Sequence, residues 1–165
     1  MLAARLRLLG IDDTTLSNMR QIRPLLLREL EPIVEELYRH LLSFPEVARL
    51  LPEKDIRALK VKQKAHWAAL FACEFDDRFA TYAMRVGQAH FDRKIPPYVY
   101  LAAYTYVQCL IVARISKAVN GRDDLAGALS SLSRVITLDI DLALSAYTRA
   151  YWSDKPHDES GRILV

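Results

Sequence analysis

No stretch of this 165-residue chain alternates apolar with polar side chains between turn-forming residues. Apolar residues recur instead three and four positions apart, over segments far longer than a strand. That spacing puts them along one side of a helix. Only five glycines occur, which leaves little material for hairpin turns. The chain reads as all-α, and its length suits one domain that can bury a substantial core.

Prolines and aspartates punctuate the helices. Asp12, Asp13 and Thr14 are good caps for a helix through "LSNMRQIRPLLLREL", with Pro24 expected to bend or restart it. Glu31-Pro32 is expected to open a separate helix through "IVEELYRHLLS", since proline suits a first turn. Phe44-Pro45 starts a short helix, and Pro52-Glu53 a longer one running to about Cys73. Asp76-Asp77 caps the next, which carries Phe79, Ala83, Val86 and His90. Pro96-Pro97 opens a helix ending near Asn120-Gly121, and Asp123-Asp124 caps a long final one. After Trp152 the sequence turns polar, "SDKPHDESGR", and reads as a frayed tail or the start of a linker.

Charge narrows the function classes. With 23 basic and 20 acidic residues the net charge is +3, and nothing resembles a nucleic-acid footprint. The basic cluster "RALKVKQK", Arg57 to Lys64, reads as a solvated helix face. The apolar run from Leu101 to Ile115 is shorter than a bilayer crossing and includes Gln108, so a buried helix is expected there. "MLAARLRLLG" lacks a cleavage site and does not look like a signal peptide. Cys73 and Cys109 stand apart, which suggests neither a disulfide framework nor a zinc cluster. A cytoplasmic setting is the expectation.

The final helix carries one apolar stripe at Leu125, Leu129, Leu132, Ile136, Ile140, Ala143, Tyr147 and Tyr151, and a second at Val135, Leu138 and Leu142. A helix apolar on two sides must be covered on two sides. One side can meet its own core and the other a second copy. We therefore expect a homodimer through the last two helices, as an antiparallel four-helix bundle, with a larger monomer core as the alternative.

Four histidines are candidate ligands. His157 falls in the polar tail, His40 is expected to face solvent, and His66, beside Trp67, reads as a packing or hydrogen-bonding residue. His90 differs because Val86, Gly87 and Ala89 leave its surroundings apolar and uncrowded. On spacing alone, a single histidine on an apolar face is more often a core residue than a ligand.

From about residue 12 to 152 the chain resembles the sensor globin domain of bacterial globin-coupled sensors, relatives of the protoglobins. The resemblance rests on "LYRHLL" (Leu37 to Leu42), on "ALKVKQKAHWAALFACEFDDRFATYAMRVGQAH" (Ala58 to His90) and on "IPPYVYLAAY" (Ile95 to Tyr104). The combination of His-Trp, a hinge with two aspartates, Tyr-x-x-Arg, Gly-x-x-His and Pro-x-x-Tyr is specific where no single piece is. It implies a globin-like helical sandwich around haem b, without a separate D helix and with an extra N-terminal helical segment. The domain would span 1–152, with 153–165 as tail or linker.

The resemblance also implies roles. His90 matches the proximal ligand of the haem iron and Tyr38 the distal tyrosine that donates a hydrogen bond to bound gas. Leu59 matches a side chain walling the distal pocket. Lys62 and Gln63 fall where relatives vary, with Gln63 the better candidate for a second hydrogen bond. Tyr100 matches an aromatic just past the proximal loop, and Phe44, Val86 and Ile95 complete the implied cofactor contacts. Such a domain would bind O2, CO and NO and signal to an output module outside this chain. Diguanylate cyclases, histidine kinases and chemotaxis transducers are the usual kinds. The chain itself would be no enzyme. Two alternatives stand beside this reading: a stand-alone haem globin with nitric oxide dioxygenase or peroxidase-like chemistry, and a haem-free helical dimerisation module.

Overall fold

The computed structural model describes residues 2–153, with side chains to 149. The polar stretch from 154 on, including His157, lies outside the described residues, as does the side chain of Tyr151. Seven helices follow in order among the described residues. They are α1 (Leu2–Leu8), α2 (Asp13–Leu42), α3 (Pro45–Ala48), α4 (Glu53–Ala72), α5 (Asp77–Asp92), α6 (Pro97–Ala118) and α7 (Arg122–Ser153).

The caps sit where the aspartates are. The Asp12 side chain accepts from the Thr15 N–H at the start of α2, and Asp76 accepts from the Phe79 N–H at the start of α5. Each satisfies one of the backbone donors a helix start leaves unpaired. Pro97 occupies the first turn of α6.

One expectation fails here. The segment from Asp13 to Leu42 is a single helix of 30 residues, with Pro24 and Pro32 inside it. A proline removes the N–H that would bond four residues back, which frees the carbonyls of Arg20 and Arg28. Both prolines and both arginines are solvent-exposed, so water can take up the freed acceptors. On the opposite side Met19, Ile22, Leu26, Leu30, Ile33, Val34, Leu37 and Tyr38 form an unbroken buried stripe. That continuous burial holds the helix through both prolines.

The main core cluster is built from α2, α4, α5, α6 and α7, with Trp67, Phe71, Met19 and Ile111 among its fully buried side chains, and a smaller one gathers Val47, Ile95 and Val99. α7 is its spine. Leu132, Val135, Ile136, Leu138, Leu142, Ala143 and Tyr147 are all buried within the single chain. The second stripe of α7 is thus covered by the chain's own helices, and part of the first with it, while Leu125, Leu129 and Ile140 stay half-buried. Much of the burial that the sequence of α7 asked of a second copy is supplied by the chain itself. α6 is buried along one face, through Val99, Tyr100, Tyr104, Val107, Ile111 and Ile115, and open on the other. By length and composition it is apolar enough to cross a bilayer, contrary to the estimate from the run Leu101 to Ile115, and only a third of its most apolar stretch is buried.

α1 is tied to α7 by Arg5, whose guanidinium pairs with Asp141 at 2.6 Å and donates to the Ser145 hydroxyl at 2.8 Å. The basic face of α4 is partly engaged rather than simply solvated. Lys60 pairs with Glu35 at 2.6 Å and Lys64 pairs with Glu31, both across to α2.

Candidate haem site

Between α2, α4, α5 and α6 lies a cavity with about 680 Å³ of empty space, part of it open to solvent. Its floor comes from α5, where Val86 and His90 stand one turn apart on the same face. The roof comes from α2 with Tyr38, and from α4 with Gln63, His66 and Trp67, whose spacing of three and four brings them to one side. Ile95, Tyr100 and Tyr104 close the inner end.

His90 is oriented from within its own helix. Its Nδ1–H donates to the Val86 carbonyl at 2.7 Å, in the tautomer that this acceptor dictates, and Nε2 has no partner among the described residues. Burial, the largest influence, holds the imidazole below the ordinary histidine range, with the Val86 bond opposing. The ring presents a neutral lone pair, the form that ligates a metal. Tyr100 meets it edge-on, with ring centroids 5.0 Å apart.

Tyr38 is buried, and its hydroxyl makes no hydrogen bond among the described residues. Burial pushes the phenol up to about 12, so it stays a donor at any ordinary pH. Lys60 Nζ stands 5.8 Å from the centre of its ring. Three polar groups of the lining are buried without partners: His66 Nδ1, the Trp67 Nε1–H and the Tyr100 hydroxyl.

Six of the residues singled out in the sequence come together in the lining: Tyr38, Gln63, Val86, His90, Ile95 and Tyr100. Three do not. Leu59 packs partly buried against the core, one turn before Gln63, where the cavity has already ended. Lys62 is exposed, because its helical phase turns it to solvent. Phe44 is 40% exposed at the cap of α3, with its edge toward His40. His40 itself is corrected from the solvent-facing reading, since it stacks flat on Tyr106 at 3.9 Å between centroids.

The structure also adds residues. His66 lines the cavity, and its Nε2 lies 2.6 Å from Asp139 Oδ2 and 3.2 Å from the Tyr104 hydroxyl. Asp139 was not singled out, although an acid in "ITLDIDLAL" at the phase of Leu132, Ile136 and Ala143 is a visible anomaly. Leu41, Val47 and Leu51 carry no such signal, being ordinary apolar residues in the sequence.

The protoglobin family model matches residues 1–153. The chain belongs to the protoglobin family. It is 29% identical, over 169 aligned positions, to the heme-based aerotactic transducer HemAT of Halobacterium salinarum, which covers 96% of this chain and 34% of that protein. The chain therefore spans about a third of the length of that curated relative. Among solved structures, the globin domain of a Geobacter sulfurreducens globin-coupled sensor superposes with a TM-score of 0.83 at 18% identity, covering 88% of this chain and 96% of that one. The ferric globin domain of E. coli DosC gives 0.69, also at 18% identity, covering 89% and 99%. The fold is that of sensor globin domains.

As a protoglobin the chain takes haem, and the residues present fit it. An unpartnered imidazole nitrogen, mostly apolar walls and unpaired buried donors are what a flat, largely apolar metal macrocycle with a polar ligand requires.

Proposed function

We propose that this protoglobin is a haem-based gas-sensing domain, with His90 as the iron ligand and Tyr38 as the donor to a bound diatomic gas, O2 foremost and also CO and NO. The observation that carries the reading is His90, tied through Nδ1 to the Val86 carbonyl with Nε2 unpartnered in the cavity. Haem held through one imidazole keeps a coordination position for a diatomic ligand, which is the chemistry the group supplies. The Val86 bond fixes the ring plane and tautomer of His90. Tyr38 offers a phenolic proton with no competing partner among the described residues, and the Gln63 amide is the second donor on the same side. Mostly apolar walls lower the local polarity, so a hydrogen bond made there counts for more than at the surface.

Transmission runs from α5 to its neighbours. Gly87, one turn before His90, lies so close to the Ala143 carbonyl of α7 that a Cβ there would collide with it. The Ile95 N–H donates to the His90 carbonyl at 3.1 Å, and the Tyr147 hydroxyl of α7 donates to the Ile95 carbonyl at 3.0 Å. A displacement of His90 is thus passed to α7 by backbone contact and by these two bonds.

The open face of α6, with Leu101 39% exposed, and the half-buried Leu125, Leu129 and Ile140 of α7 support a homodimer through these two helices. The named relative, an aerotactic transducer three times longer, supports an output module beyond this chain. A chemotaxis transducer, a diguanylate cyclase and a histidine kinase are the candidates. In this reading residues 1–152 are the sensor, 153–165 lead toward the output, the setting is cytoplasmic, and the domain does no catalysis of its own. Absorption spectra of the ferrous protein test it. A Soret band that shifts on adding O2 and again on adding CO is expected, and its loss in His90→Ala with return on added imidazole. A protein that ignores haemin would refute the assignment.

A further inference from the structure

Asp139 on α7 is fully buried, with no measurable exposure. Its Oδ2 accepts from the Tyr104 hydroxyl of α6 at 2.5 Å and lies 2.6 Å from His66 Nε2 of α4. Its Oδ1 is buried without a partner, and so is His66 Nδ1. Neither lysine nor arginine pairs with it among the described residues. The groups facing it are His66 from α4, Tyr82 from α5, and Tyr100 and Tyr104 from α6. The buried face of α2 brings only apolar side chains, Thr15 and Tyr38. Burial raises the three phenols of Tyr82, Tyr100 and Tyr104, and the charge of Asp139 adds to it.

Packing gives no reason for such a residue. A half-satisfied buried carboxylate costs stability, and an apolar side chain of similar volume would commonly do as well or better. Its position supplies the reason. His66, Tyr100 and Tyr104 line the cavity, and Asp139 stands one side chain behind them. Haem with ferric iron carries a positive charge that the porphyrin does not cancel, and with ferrous iron it does not.

We infer that Asp139 is a charge-compensating positioning residue of the cavity, a carboxylate held by Tyr104 and His66 to balance the charge of oxidised haem. The inference rests on the reading of this cavity as the haem pocket. It gives the domain a lean toward the oxidised metal, and so a response to redox conditions as well as to gas.

The test uses the whole chain with Asp139→Asn, which keeps the shape and removes the charge. Two quantities are measured: the midpoint potential of the haem-loaded protein and the denaturation midpoint of the haem-free one. The potential is expected to move positive, by on the order of a tenfold change in the ferrous-to-ferric ratio, the weight of one unit charge at mid-range in a protein interior. The haem-free variant should be at least as stable as the parent, while the stabilisation gained on adding haem shrinks. Tyr104→Phe strips a donor that favours the ionised carboxylate, so its potential should hold or move positive, by no more than in Asp139→Asn. It carries the test if Asp139→Asn does not fold. An unmoved potential in Asp139→Asn, a negative shift in Tyr104→Phe, or a His66 ring found doubly protonated by nitrogen NMR overturns the proposal. A protein with no Soret band at all overturns the pocket reading too, and the absorption spectrum separates the two failures.

Discussion

At the scale of single residues, the cavity depends on two side chains prepared in different ways. His90 is prepared by its own helix, since the Val86 carbonyl lies one turn back and takes the Nδ1 proton. Tyr38 is prepared by burial, which keeps its phenol protonated and leaves the hydroxyl unspent. Tyr38→Phe removes that donor and little volume. Oxygen affinity should fall by roughly five- to a hundred-fold, the range of a buried hydrogen bond of about 1–3 kcal/mol. Stopped-flow measurement should place most of the change in faster O2 release, with CO affected less.

At the scale of elements, two helices invite direct tests. The close crossing of α5 and α7 at Gly87 leaves no space for a side chain, because the atom met is the rigid Ala143 carbonyl. Gly87→Ala must separate the two helices and should cost roughly 1–3 kcal/mol in chemical denaturation. Gly127→Ala is the control, since a Cβ there meets only the end of the Asn18 side chain. α2 offers the opposite case. Pro32 interrupts a helix whose solvent side is free and whose buried side is continuous. Pro32→Ala restores an N–H without touching the core and should stabilise the protein by up to about 3 kcal/mol in the same assay. Both outcomes follow from which side of the helix bears the change, which a helical pattern by itself states only in part.

At the scale of the whole molecule, the buried phenols set an alkaline limit. Tyr38 and Tyr147 are raised to about 12 in the fold, and Tyr100 and Tyr104 are raised as well, all chiefly by burial. In the unfolded chain these groups release their protons near 10. Above that pH the unfolded state binds fewer protons than the folded one, so stability falls as pH rises from about 10 toward 12. Equilibrium denaturation across that window should show the decline, and Tyr147→Phe should soften it.

The helical class, the aspartate caps at Asp12 and Asp76 and the openings at Pro45 and Pro97 were legible in the sequence. They depend on neighbours in the chain and on a period those neighbours carry. Tyr38 and His90 were found through a resemblance in motif, and His90 could also be suspected from the small residues around it. Only the tertiary structure decided that α2 runs through both its prolines, that Val135, Leu138 and Leu142 of α7 are covered by their own chain, and that Leu59, Lys62 and Phe44 miss the cavity while His66 reaches it. Those outcomes turn on what packs opposite each face. A repeating pattern says that a face must be covered, and the arrangement of the other helices says by what.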